Sequence, residues 1–232
     1  MKRFYQTVTV AEVPGGWQVM LDGRGIRTAD GAPQIVPRAP LAELLAAEWA
    51  AQGDVIDPHA FAMRDLADYA IDIVAPDPAA AIDGLIRFAE TDTLCYRADP
   101  EDALYRRQQE VWEPLLAALE AREGLAFHRI SGVGYRAQPP AALAALRARL
   151  GTFNPFALAA LQTLASLAAS LTIALAAAEP GGDVPALWDA ATLEEEWQAD
   201  LWGRDAEAED RRAKKRAEFL AAARFLAAAM PG

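Results

Sequence analysis

The first hydrophobic pattern along the chain has period two. Val8 and Val10 alternate with threonines, and Trp17, Val19 and Leu21 repeat the alternation. Alternation of this kind marks strands with one buried face. Pro14-Gly15-Gly16 separates the two runs as a turn, and Asp22-Gly23 is a strong hairpin signal. Shorter strands fit Gly25 to Thr28 and Gln34 to Val36, before Pro37 and Pro40 close the section. Three or four such strands form a meander too small to bury a large core alone.

Beyond this the pattern turns helical. Leu41–Gln52 is rich in Ala, Leu and Glu and stops at Gly53; Ala60–Val74 and Ala79–Glu90 come next at helical spacing. Asp99-Pro100-Glu101 opens a helix towards Gly124, with Pro114 as a kink or break. Phe127–Tyr135 reads as one more extended segment, and Pro139-Pro140 starts a helix to Leu150. Asn154 caps the next helix. From Thr152 to Ala178 there is no charged residue, a length that would span a bilayer. Its apolarity is largely alanine, Gln162, Ser166 and Ser170 recur at four, and Leu164, Leu167, Leu171 and Leu175 make a helical stripe. A buried central helix is therefore expected rather than a span. From Pro185 one helical run is predicted towards Met230, bending at Gly203. The fold class is α+β: a β-rich N-terminal domain over residues 1–38, reaching about 60 on the widest reading, and a mainly helical domain over 39–232.

Charge narrows the function. The net charge is −11, which disfavours nucleic acid and anionic membrane surfaces, both of which reward clustered Lys and Arg. Cys95 is the single cysteine, so no intrachain disulfide can form and a reducing compartment is expected. The start MKRFYQTVTV is basic but lacks the apolar core of a secretory signal.

Catalytic signatures are weak. Ser131-Gly132-Val133-Gly134 lacks a third glycine and reads as a turn. His59 and His128 stand 69 positions apart, and neither has a Cys or His at metal-ligand spacing. Cys95 has Arg97 near it in sequence but no histidine, and reads as a small buried hydrophobe. Asp65, Asp68 and Asp72 share a helix face, but without an oxygen-rich loop they read as a solvated face. The stretch LEEEWQADLWGRDAEAED, Leu193 to Asp210, is unlike these. It sets two tryptophans among eight carboxylates. Glu194, Gln198 and Trp202 fall on one helical face, with Trp197 rotated away. Adjacent helical glutamates do not converge on one atom as an acid–base pair must. A charged helix paired with the Arg and Lys block at 211–216 is one reading; a partner surface anchored by tryptophan is the other.

Five motifs in register carry a resemblance. They are Glu48-Trp49-Ala50-Ala51-Gln52-Gly53 with Ile56-Asp57-Pro58; Thr91-Asp92-Thr93-Leu94-Cys95-Tyr96-Arg97-Ala98; Gln108 with Trp112-Glu113-Pro114-Leu115; Glu196-Trp197-Gln198; and Trp202-Gly203. Phe4-Tyr5 and Leu21-Asp22-Gly23-Arg24 add to them. In order and spacing the chain resembles the Atp-twelve family, assembly chaperones for the α subunit of the F-type ATP synthase catalytic sector. The resemblance implies a small β-rich domain before a helical one, no enzymatic activity, no cofactor or small-molecule substrate, and the free α subunit as partner until the β subunit replaces it. It implies that the Glu-rich motif, where Glu194, Glu195 and Glu196 stand, is linked with activity; partner binding is expected there with Gln198 and Trp202 beside it, and structural roles are expected for Trp49, Asp92, Trp112 and Gly203. With no mitochondrial transit signal before the first strand, a bacterial, cytoplasmic protein is expected. A carboxylate-based, metal-assisted hydrolase and a helical adaptor without chaperone activity are the alternatives.

Overall fold

A computed structural model describes residues 1–132 and 134–231. The fold is α+β, an N-terminal antiparallel sheet before a mainly helical chain. It divides into two compact units, one of Met1–Ala81, Asn154–Ala160 and Arg224 onward, the other of Ile82–Phe153 and Leu161–Ala223.

In the first unit β1 (Val8–Val13) pairs antiparallel with β2 (Gly16–Leu21), and β2 pairs in turn with β3 (Arg24–Gly25) and β4 (Ile35–Val36). The Asp22-Gly23 hairpin forms at the expected position. Leu21 faces Arg24 across it, and Asp22 and Gly23 take φ values of 48° and 78°. Two successive left-handed residues give the strands a turn that matches their twist. The Asp22 carboxylate also accepts from Gln6 N, Thr7 N and Thr7 Oγ1, and the Thr7 amide is the main cause holding it below the usual carboxylate range.

Helix α1 (Ala39–Ala50) packs on β1 and β2. Leu41, Leu45 and Trp49 are its buried side, spaced at four so that they stack on one face. The Trp49 ring, 9% exposed, lies between Tyr5 at 5.6 Å and Phe61 at 4.5 Å between centroids. Two polar side chains near the end of α1 anchor the next segment. Glu48 accepts from Met63 N and Arg64 N at 2.7 and 2.9 Å, capping α2 (Ala62–Tyr69) from outside. Gln52 Oε1, just past α1, accepts from Asp57 N at 2.8 Å.

The region expected as one helix from Ala60 is a short 3-10 turn at Pro58–Ala60, then α2, then a π-helical turn at Ala70–Val74. The acidic face of this segment is not simply solvated. Asp72 accepts from Thr28 Oγ1 at 2.9 Å, while Asp68 accepts from Ala29 N at 3.1 Å and from the Gln34 side chain. The loop between β3 and β4 needs acceptors for its polar groups, and two of the three carboxylates supply them. Only Asp65 keeps to the surface, paired with Arg64. Asn154 caps the helix Pro155–Ala168 as predicted, accepting from Ala157 N at 2.9 Å.

The second unit is built around α4 (Ala103–Glu123), which runs through Pro114 without interruption. Before it, α3 (Pro78–Glu90) leads to β5 (Tyr96–Arg97), which pairs parallel with β6 (Ile130–Ser131). The extended segment expected over 127–135 thus contributes a two-residue strand. Val133, in the turn expected at 131–134, lies outside the described residues. After α5 (Pro140–Leu150) and α6 (Pro155–Ala168), the expected single apolar helix breaks: Ala169 takes φ 48°, and Ser170 caps a separate α7 (Leu171–Ala177) by accepting from Ile173 N at 3.1 Å.

That break is held by Asp92, which is fully buried. Its carboxylate accepts from Leu94 N, Thr172 N and Thr172 Oγ1 at 3.1, 2.9 and 2.8 Å, and from the Ser170 hydroxyl. Thr93 Oγ1 donates to Ala169 O at 2.9 Å beside it. Periodicity alone extends the helix, because the pattern of leucines continues across the break. Among the described residues, no helix is long and apolar enough to cross a membrane. The run from Pro185 is three helices, α8 (Val184–Ala191), α9 (Leu193–Trp202) and α10 (Ala206–Ala229). Trp112, Trp188 and Phe219 are buried in this unit, the last two with centroids 5.4 Å apart.

Two substitutions test these supports. Trp49→Ala is expected to lower stability by about 3–5 kcal/mol in urea denaturation. Trp49→Phe should cost distinctly less, since the indole N–H that it removes is buried without a hydrogen-bond partner. Asp92→Ala strands several donors at once, at about 1–3 kcal/mol for each one left unsatisfied. We expect a lower melting temperature together with faster amide exchange at Leu94 and Thr172; unchanged exchange there would refute the staple.

Candidate functional site

Helix α9 places the three glutamates in its first turn, where the positive end of the helix dipole favours them. Their side chains do different things. Glu194 is half-buried and accepts from Gln108 Nε2 at 2.6 Å. Glu196 meets Arg204 at 2.8 Å and is also paired with Arg212. Glu195 is 62% exposed, and Arg212 Nε stands 3.8 Å away, beyond hydrogen-bond range. Glu195 is therefore the carboxylate of the three that remains most available.

The chain reverses after α9 at Gly203, whose φ of 96° and ψ of 158° suit only glycine. An added Cβ would meet nothing within 4 Å, so the requirement is backbone conformation and not space. The reversal brings Arg204 against Asp200 at 2.9 Å and carries Arg212 of α10 back to Glu196. Intrahelical pairing, one of the two readings of this charged stretch, is thus partly present, but its main links run from α9 to the start of α10. Gln198 is exposed, and Leu201 and Trp202 stand 62% and 81% exposed at the last turn of α9. Trp197 is half-buried. Sequence spacing put Glu194, Gln198 and Trp202 on one face; the structure turns Glu194 to Gln108 and leaves the other two in solvent. Leu201 was missed from sequence, as a leucine on a helix reads as core until the packing is known.

Beneath the motif, α4 supplies the support. Gln108 is fully buried; besides holding Glu194 it accepts from Ala98 N at 2.8 Å. Trp112 Nε1 donates to Ala190 O at 2.8 Å, at the end of α8. Arg97 lies over the Trp112 ring at 5.4 Å and reaches Glu113 at 3.1 Å. Glu113 also takes Arg129 at 2.6 Å, and the Arg129 hydrogen bond is the main cause keeping its carboxyl below the ordinary range. A cavity of about 170 Å³ opens between these supports and the motif, lined by Trp112, Trp188, Glu194, Glu195 and Lys215. Lys215 is exposed and in no ion pair among the described residues.

Nothing here resembles a catalytic constellation. Cys95 is fully buried, and burial pushes its thiol well above the ordinary range. His59 is exposed, and His128 Nδ1 lies 3.0 Å from Ala137 O. Among the described residues, no three His, Cys, Asp or Glu side chains gather as metal ligands would.

The family model of the ATP12 chaperone protein matches residues 2–120. The chain belongs to this family. It is similar over its whole length to solved structures as well. Atp12 from Paracoccus denitrificans is 37% identical, with a TM-score of 0.93 over 99% of this chain and 98% of that one. A single-substitution mutant of P. denitrificans Atp12p matches at the same identity and TM-score. A protein from Agrobacterium tumefaciens, described as a candidate chaperone, is 40% identical, with a TM-score of 0.94 over 99% of this chain and 86% of that one. The ATP12 family consists of non-enzymatic chaperones of ATP synthase assembly.

Within this ATP12 fold the three glutamates separate by experiment. Glu196→Gln should lower stability by up to about 1 kcal/mol, the usual value of an exposed pair, because it loosens the turn at Gly203. Glu195→Gln should leave the thermal melt unchanged. Equal melts for both variants would mean that the Glu196 pairs contribute nothing to folding.

Proposed function

We propose that this chain is a chaperone for the free α subunit of the F-type ATP synthase catalytic sector, holding it in the bacterial cytoplasm until the β subunit takes its place. The observation that carries the reading is the composition of the α9 surface. Glu195, exposed and opposed among the described residues only by Arg212 at 3.8 Å, lines a cavity together with Trp112 and Trp188, and an apolar pair, Leu201 and Trp202, is exposed at the other end of the helix. Membership of the ATP12 family supports it.

The chemistry suits a basic partner side chain. A Lys or Arg stem can lie along apolar walls while its head meets carboxylates. Of the carboxylates that line the cavity, Glu194 is already held by Gln108 and Glu195 is the more available; Lys215 lines it too. Trp202, with Leu201, would give the apolar contact that supplies affinity, and the charges would steer encounter and register. Gln198, exposed between them, offers a hydrogen bond at the same surface. In this reading Trp49, Asp92 and Gly203 serve the fold and not the contact, while Trp112 serves the fold and also lines the cavity.

The test is suppression of aggregation of purified α subunit by each purified variant, alongside its thermal melt. Glu195→Lys should weaken capture at least tenfold, and Trp202→Ala by a similar factor, equal to about 1.4 kcal/mol each, with the melting temperature unchanged. Full protection by a folded Glu195→Lys, Trp202→Ala double variant would remove α9 from the contact. Failure of the wild-type chain to protect the α subunit at all would refute the client itself.

A further inference from the structure

A second surface of the helical unit has no role in the α9 reading. Between α4 and the α7–α8 pair lies an open groove of about 500 Å³. One wall is a helical stripe of α4: Val111, Pro114, Leu115 and Ala118. The opposite wall is made of small residues, chiefly Ala176 of α7 and Ala186 of α8. The α4 wall runs from Glu110 to Arg122, about 18 Å at 1.5 Å per residue. That is some three helical turns. It matches an apolar stripe at i, i+4, i+7 and i+11, which covers about 16 Å on an incoming helix. Small side chains on the far wall let the backbone of such a helix come close.

The rim has a definite sign. Glu110, Glu179 and Asp183 border the groove against a single cation, Arg122. Glu179 is opposed by Arg122 at 3.2 Å and by Arg149 at 3.7 Å, so the carboxylates left to the rim are Glu110 and Asp183. Glu110 meets Arg107 at 3.2 Å, but both side chains are more than half exposed, so that pair yields to a competing cation at little cost. The Asp183 carboxylate accepts from Ala186 N at 3.1 Å and keeps its charge on the rim.

We infer that this groove is a second client-binding site, which takes an amphipathic helix with an aliphatic stripe and Lys or Arg on its flanks. The inference rests on the α-subunit reading, and the helix is one presented by that client. Two contacts on different faces would hold the client more tightly than either alone, provided that both can be engaged at once.

The experiment uses the full chain and purified α subunit. Ala118 and Ala186 are exposed at the groove, so Ala118→Trp and Ala186→Trp fill it without touching the core. Each is expected to weaken binding at least tenfold in a titration, with an unchanged melt and with Glu195 still required. Glu110→Lys should act in the same direction and lose its effect at high salt. Should a tryptophan variant unfold, a photo-crosslinking residue at position 118 of the otherwise native chain reads the same contact. The adduct is expected in a client segment with helical apolar spacing and basic flanks. An adduct in an acidic or extended segment, or undiminished binding by both tryptophan variants, overturns the inference. So does a concentration-dependent dimer that Ala118→Trp abolishes, since the occupant is then a second copy. A labelled Leu/Lys helical peptide separates the two levels. If it binds wild type and not Ala118→Trp while the α subunit does not bind at all, the groove chemistry stands and the client falls.

Discussion

Asp92 has no exposed surface and four hydrogen-bond donors. A buried carboxylate is costly unless it is fully satisfied, so its presence dictates where those donors must be. Leu94 N is local, whereas Ser170 and Thr172 come from a segment some 80 residues later. Satisfying one carboxylate thereby fixes the break between α6 and α7, the start of α7, and the wall that α7 turns towards α4. Burial raises the Asp92 carboxyl above its ordinary value while each hydrogen bond lowers it again. The donors facing it are two amides and two hydroxyls, the surroundings of an acceptor.

The same device recurs. In an alanine-rich chain the helices offer little side-chain volume to distinguish one packing from another, and polar side chains reaching backbone groups fix the arrangement. Glu48 caps α2 from α1, Gln52 holds Asp57, Gln108 holds Ala98 and Glu194, and Trp112 donates to the end of α8. Glu48, Gln52, Gln108 and Trp112 all stand in motifs by which the chain resembles its family. Where the partner is buried, as at Ala190 O, removing the side chain leaves it unsatisfied, which costs more than the bond itself contributes.

In the proposed function, the client contact draws on the surface this framework leaves over. Glu196 is consumed by the turn at Gly203, and Glu194 by Gln108; Glu195, Gln198, Leu201 and Trp202 are among the groups that α9 presents to solvent. Exposed aromatic and aliphatic side chains carry a solubility cost that a monomer ordinarily avoids. The surrounding carboxylates and the net charge of −11 offset it. A chaperone surface needs both properties, grip for a client and repulsion between copies of itself.

Much of this was legible in the sequence by itself. Period-two alternation and the Asp22-Gly23 turn determined the hairpin, since both are local rules of backbone geometry. Helical spacing, Asn154 and the prolines located most helices to within a few residues, and the motifs in register pointed to the family. The break at Ala169 was not legible, because the apolar pattern continues across it and its cause is a distant hydrogen-bond partner. Nor were the roles of Asp68 and Asp72, whose loop donors lie about 40 residues away. Three consecutive glutamates are alike in sequence. Only the tertiary structure, by bringing Gln108 to one and Arg204 and Arg212 to another, decided that Glu195 is the one left facing solvent.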